Sequence, residues 1–185
     1  MKVLVIGSGG REHAIAWKLL QSKRVSRIYV APGNAGTARE SGIENVDITD
    51  ISSLVEFARD KDIGLTVVGP EVPLAAGVVD AFRDAKLRIF GPTRAAAQLE
   101  SSKDYAKQFM QRHHIPTANS ETSSDLAEAH AFVDRFGAPI VIKADGLAAG
   151  KGVVVAMSDE EAHAAIDMML ADNKLGAAGA RVVIE

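Results

Sequence analysis

PIVIKADGLAAGKGVVVA, residues 139–156, decides how the second half of this chain folds. Two apolar runs, Pro139–Ile142 and Val153–Ala156, flank a loop that carries three glycines and two lysines. The β-branched residues after Gly152 continue as a strand rather than a helix. The expectation is therefore strand, loop, strand. Glycine lets backbone approach a ligand closely, and lysine beside exposed N–H groups attracts phosphate oxygens. A glycine-rich hairpin loop without a ligand is the plain alternative. The spacing excludes a Walker A loop, because Gly146 and Gly150 enclose three residues and Gly152 stands where Ser or Thr is needed. The kinase pattern G-x-G-x-x-G is also absent from this loop.

Upstream, the first hundred residues alternate strand and helix. Strands are predicted at Lys2–Ile6, Arg27–Val30, Ile43–Ile48, Leu65–Val68 and Arg88–Phe90. Helices are predicted at Glu12–Gln21, after the cap Asp50, and over Pro73–Ala85. This order predicts a parallel sheet covered on both faces. Beyond Gly91 helices dominate to His113. A turn-rich segment Ile115–Ser124 follows, then helix Leu126–Phe136, a capping box opening helix Glu160–Leu170, and a strand at Arg181–Glu185.

Gly7-Ser8-Gly9-Gly10-Arg11-Glu12 joins the first strand to the first helix. A helix start offers N–H groups and a positive dipole end, which suit a phosphate. A dinucleotide fold requires a third glycine, and Glu12 stands there. The second strand ends in Ala31-Pro32-Gly33, with no acid for a ribose. Gly69-Pro70-Glu71 ends another strand at the same carboxyl edge, where open α/β sheets bind ligands. Glu71 reads equally as a ligand group and as an acid favoured by the helix dipole.

The chain has 185 residues, 47% of them apolar, enough for one domain or two small ones. Net charge is −3 with the signs interspersed, which argues against nucleic acid or a membrane surface as partner. There is no cysteine, no run near ~20 apolar residues, and no signal-like start, so a cytoplasmic location is the expectation. The five histidines show no metal spacing, and Trp17, Met168 and Met169 are expected in the core.

The phrases GSGGREHA (7–14), APGNAGT (31–37), GPEVPLAAG (69–77), FGPT (90–93), SSKDYAK (101–107) and PIVIKADGLAAGKGVVVA (139–156) together resemble the phosphoribosylamine–glycine ligase family. The resemblance runs from Met1 to Glu185. It implies an α/β protein with an N-terminal Rossmann-like, parallel-sheet (pre-ATP-grasp) domain at 1–100. A partial ATP-grasp region follows at 101–185, with its first helices at 101–122 and most of its lid subdomain at 123–185. The implied reaction joins glycine to 5-phosphoribosylamine through a glycyl phosphate, giving glycinamide ribonucleotide, ADP and phosphate in purine biosynthesis. The family is more than twice this length, so the chain is expected to be an incomplete front portion, inactive alone. A stand-alone nucleotide or phosphosugar binding module is the alternative.

The same resemblance implies ATP as cofactor, with Mg2+ or Mn2+ held by residues outside this portion. By that resemblance Lys143 contacts ATP phosphate, and Lys103 makes a second phosphate or adenine-side contact. Asp145, Gly146, Gly150, Lys151 and Gly152 belong to the loop that closes over the triphosphate, and Glu185 starts the strand bordering adenine. Gly9, Gly10, Arg11, Glu12, Pro70 and Glu71 are the implied phosphoribosylamine set. From the residues alone, Lys103 also reads as an ordinary solvated lysine and Asp145 as a turn former.

Overall fold

The computed structural model describes residues 1–148 and 150–185. Its contacts divide the chain into two compact units, Met1–Ala97 and Gln98–Glu185.

In the first unit, strands β1 (Lys2–Gly7), β2 (Arg27–Pro32), β3 (Ile43–Asn45), β4 (Ile63–Val68) and β5 (Ile89–Phe90) form a parallel sheet in the order β3-β2-β1-β4-β5. Alternate residues of β1 and β2 face opposite ways. Val3, Val5, Ile28 and Val30 pack against Ala16 and Leu19 of helix α1 (Gly10–Leu20). Leu4, Ile6, Tyr29 and Ala31 pack against Leu54 and Ala58 of α2 (Ile51–Asp60), and against the helices after β4. Both faces are thus covered, as a parallel sheet requires. Asp50 caps α2 as the sequence indicates, its Oδ1 accepting from Ser53 N at 2.8 Å.

The continuous helix expected over Pro73–Ala85 is instead two, α3 (Glu71–Ala76) and α4 (Val78–Asp84). Gly77 at φ 93° divides them, since that left-handed conformation ends a helix and favours glycine. The third strand stops at Asn45, whose side chain turns to Thr37 and Asn34. Trp17, expected in the core, lies on the surface with half its area exposed (51%).

Helix α5 (Arg94–Ser101) contains the boundary between the units, and the second starts at Gln98. Ser102 then leaves helical geometry and caps α6 (Lys103–Arg112), Oγ accepting from Tyr105 N at 3.1 Å. Strands β6 (Glu121–Ser123), β7 (Ile140–Ala144), β8 (Val153–Ala156) and β9 (Val182–Ile184) form an antiparallel sheet in the order β6-β9-β7-β8. Helices α7 (Leu126–Phe136) and α8 (Asp159–Ile166) cover one face. Ile140, Ile142, Val182, Ile184 and Met169 are buried there with Ala129, Val133 and Ala162. The helix expected to reach Leu170 changes at Asp167 into a wider π turn, Asp167–Ala171. In the capping box, Ser158 Oγ accepts from Glu161 N, but the Glu161 carboxylate reaches one residue further back, to Met157 N at 2.8 Å. The terminal strand β9, apolar enough to be an aggregation risk if exposed, is paired on both sides and buried.

Two candidate binding sites, one in each unit

The glycine turn after β1 is shaped by Glu12. This side chain is 4% exposed and folds back beneath the turn, where Oε2 accepts from Gly9 N at 2.7 Å. That bond satisfies one of the N–H groups a helix start leaves unpaired. A Cβ at Gly7 or at Gly69 would collide with the Glu12 side chain. The two glycines, on neighbouring strands, therefore make room for one buried carboxylate. Glu12 replaces the third glycine of a dinucleotide turn with a different device, a carboxylate that braces the turn from below.

Around this brace, Gly9, Gly10, Arg11, Glu12, Pro70 and Glu71 line one open cavity of about 250 Å³. The structure thus brings all six expected phosphoribosylamine residues to one place, at the carboxyl ends of β1 and β4. Arg11 Nη1 donates to Gly69 O at 3.0 Å, which ties the α1 start to the β4 end. The N–H groups of Gly10 and Arg11 have no partner within the helix, and the dipole adds positive potential. A phosphate-sized anion fits these features.

Sequence reasoning gave no role to Asn34. Its Nδ2 donates to Ser8 O (2.9 Å) and Gly9 O (3.3 Å), and its Oδ1 accepts from Gly36 N (2.7 Å) and Thr37 N (3.0 Å). Asn34 therefore locks the glycine turn to the loop after β2. Its place in APGNAGT was the available signal.

In the second unit, the register Lys143↔Val153 and Val141↔Val155 puts these four side chains on the sheet face away from α7 and α8. Val153 and Val155 are exposed, Val155 to 62%. Lys143 stands at the end of this apolar face. Its Nζ donates to Glu185 Oε1, and Lys107 Nζ ion-pairs Glu185 Oε2. Burial alone raises the Glu185 pKa, but the two ammonium groups outweigh it and hold this carboxyl below its ordinary range.

Lys103, for which the resemblance implies a second phosphate or adenine-side contact, lies at the root of the loop. Its Nζ donates to the carbonyls of Ala144 (2.7 Å), Asp145 (3.4 Å) and Gly146 (3.2 Å). Burial, above all, lowers its pKa; nearby Asp145 opposes that shift and Lys143 adds to it. Asp145 is turned toward α6, where Oδ1 accepts from Asp104 N at 2.8 Å and from Ser102 Oγ at 3.1 Å. Together Lys103 and Asp145 bolt the loop's root to the start of α6.

Beyond this root, Gly146 N donates to Ala178 O at 3.1 Å, and a Cβ there would lie 2.8 Å from Ala178 Cα. Gly152 O accepts from Ala144 N at 2.7 Å, closing the loop's base. Gly150, at φ 78°, meets nothing that a Cβ would touch. Lys151 is exposed and has no ion pair among the described residues. Ala149, within the expected phosphate loop, lies outside the described residues.

Residues 1–100 match the family described as phosphoribosylglycinamide synthetase, N domain, and residues 101–185 match its ATP-grasp (A) domain. The chain belongs to the phosphoribosylglycinamide synthetase family. It is 71% identical over 185 residues to a phosphoribosylamine–glycine ligase of Ralstonia nicotianae, and spans 44% of that relative's length. Among solved structures, the phosphoribosylamine–glycine ligase of Thermotoga maritima superposes with a TM-score of 0.78 at 34% identity. That match covers all of this chain and 43% of the other. The biotin carboxylase domain of Hydrogenobacter thermophilus 2-oxoglutarate carboxylase, solved with MgADP, superposes at 0.74 with 18% identity, covering all of this chain and 43% of that one. At that identity the likeness shows the fold alone. Within the phosphoribosylglycinamide synthetase family, the first unit is thus of the N-domain type and the second part of an ATP-grasp region.

Proposed function

We propose that this chain supplies the phosphoribosylamine-binding edge and the nucleotide lid of a phosphoribosylamine–glycine ligase. The observation that carries the lid reading is Lys143 at the end of an exposed apolar sheet face, held by Glu185 beside Lys107. An apolar face suits a purine ring, and a fixed ammonium suits the phosphates that follow it.

The chemistry asks for such a site. A carboxylate is a poor electrophile because its charge is delocalised. Phosphoryl transfer from ATP to glycine makes an acyl phosphate, and the amine of 5-phosphoribosylamine then displaces phosphate to form the amide. Positioning and charge neutralisation account for most of such catalysis. Here Lys143 and Lys151 neutralise phosphate charge and the Gly146–Gly152 loop excludes water. Lys103 and Asp145 hold the loop root in place. In the first unit, the α1 start with Arg11 takes the sugar phosphate, and Glu71 faces the ribose or amine.

Mg2+ is the family's expected companion of ATP. Among the described residues no group of three or more His, Cys, Asp or Glu is arranged to hold a metal ion, and Glu185 is engaged by two lysines. By the resemblance its protein ligands lie outside this portion, and no step is assigned to it. No complete turnover is assigned to these 185 residues alone.

Two calorimetric titrations test the reading. ATP should bind and lose at least ~tenfold in affinity with Lys143→Ala, while ribose 5-phosphate binding is unchanged; one lost charge-assisted contact is worth about that much. Arg11→Ala should do the reverse. Silence toward both ligands in the unaltered chain would remove the proposal.

A further inference from the structure

In the second unit α7 and α8 run together, and each presents a histidine to the other. His130 Nδ1 and His163 Nδ1 are 2.6 Å apart, with ring centroids 4.8 Å apart and planes inclined by 38°. Each ring has its other nitrogen on a carboxylate. His130 Nε2 is 3.0 Å from Asp167 Oδ1, and His163 Nε2 is 3.1 Å from Asp134 Oδ1. An ionised carboxylate only accepts, so each Nε2 carries a hydrogen. A neutral ring protonated at Nε2 points a lone pair from Nδ1. Two such lone pairs meet here at hydrogen-bond distance, and they repel unless a cation lies between them, either a proton on one Nδ1 or a metal ion.

The geometry points to a binding site for a divalent transition-metal ion of the zinc class, held by Nδ1 of His130 and Nδ1 of His163 with water completing its shell. Imidazole nitrogen suits such ions, and hard oxygen-seeking ions gain nothing from it. A metal-bound histidine usually donates its remaining N–H to a carboxylate, which fixes the tautomer and raises ligand basicity. Asp167 and Asp134 already stand in those positions. Two nitrogens about 2.05 Å from a tetrahedral zinc lie roughly 3.3 Å apart, so the rings must part by about 0.7 Å. Both rings are partly exposed, and Asp134 and Asp167 are more so, which leaves room for that swing and for water ligands.

No third His, Cys, Asp or Glu joins the group among the described residues. Two nitrogens are then the whole donor set from the chain, and the affinity should fall well below that of a four-ligand structural site. A bound ion would tie α7 to α8 and stabilise the second unit by linkage.

The test is a zinc chloride titration of the 185-residue chain in a non-chelating buffer at pH 7.5, followed by calorimetry and by NMR of 15N-labelled histidine. One ion per chain should bind, with the Nδ1 signals of two histidines shifting more than their Nε2 signals. His130→Ala and His163→Ala should each remove that heat. Asp167→Asn should weaken it by ~10-fold or more while the ligands stay in place. His113→Ala should leave it unchanged. No binding, binding that survives His130→Ala, or shifts at Nε2 instead of Nδ1 would each overturn the site. Magnesium chloride at the same concentration should give no response, and an equal response would also overturn it.

Discussion

Lys143 donates to Glu185 across neighbouring strands of the small antiparallel sheet, and Lys107 of α6 ion-pairs the same carboxylate. One acid thus engages two ammonium groups, and the register sets Lys143 beside exposed Val153. Its pKa is depressed, because the lysines outweigh the opposing effect of burial. The unfolded chain therefore takes up this proton first as acid is added. The stabilisation is whole above the unfolded-state value, about 4.3, and is lost as pH falls through the lower folded value. Urea unfolding between pH 3 and 6 should show this acid-side loss in the unaltered chain. Glu185→Gln should flatten it and cost about 2 kcal/mol at pH 7, the scale of hydrogen bonds to a charged group. An unchanged acid limb in the variant would contradict the arrangement.

Gly69→Ala tests the brace under the first glycine turn. The new methyl would meet the Glu12 side chain, which is buried and tied to Gly9 N. Overpacking of this kind costs ~1–3 kcal/mol. The companion change Glu12→Ala removes the obstacle, so the double variant should be less destabilised than the two single effects added together. Simple additivity in chemical denaturation would show that the contact does not matter.

The brace also marks where sequence reading stopped. The strand–helix alternation of the first unit was legible because apolar runs and glycine-proline stops are local signals, and the family resemblance implied six residues near two strand ends as a binding set. The roles within that set were not legible. Glu12 in a helix start looks like any acid favoured by the dipole, and only the spatial approach of Gly7 and Gly69 reveals a buried carboxylate. Gly77 divides α3 from α4 through a backbone angle that composition does not encode. Trp17 was expected inside because large apolar residues usually are, yet the α1 face that meets the sheet is built from Ala16 and Leu19. His130 and His163 stand far apart in the chain, and their pairing follows from the packing of α7 on α8.

Lys151 and Lys143 should separate binding from stability. Lys151 is exposed and without an ion pair among the described residues, so Lys151→Ala should leave unfolding free energy within about 0.5 kcal/mol. The same change should weaken ATP by ~tenfold if the loop covers phosphate. Equal ATP affinity in this variant and the parent would confine the phosphate contact to Lys143.

Lys103→Met should do the opposite. The ammonium donates to three successive carbonyls at the loop root, and methionine keeps the length while removing every donor. Asp145 O keeps its bond from Lys103 N, but losing the ammonium at the partly buried carbonyls of Ala144 and Gly146 costs ~1–3 kcal/mol in all. The backbone amides of Asp145 and Gly146, which donate to Arg181 O and Ala178 O, should then exchange hydrogen faster, since the root that orders them is loosened. Amides of α1 and β1 in the first unit should keep their protection. A large fall in ATP affinity with unchanged exchange at Asp145 and Gly146 would instead make Lys103 a direct nucleotide contact, and the assignment of Lys103 to loop positioning would be wrong.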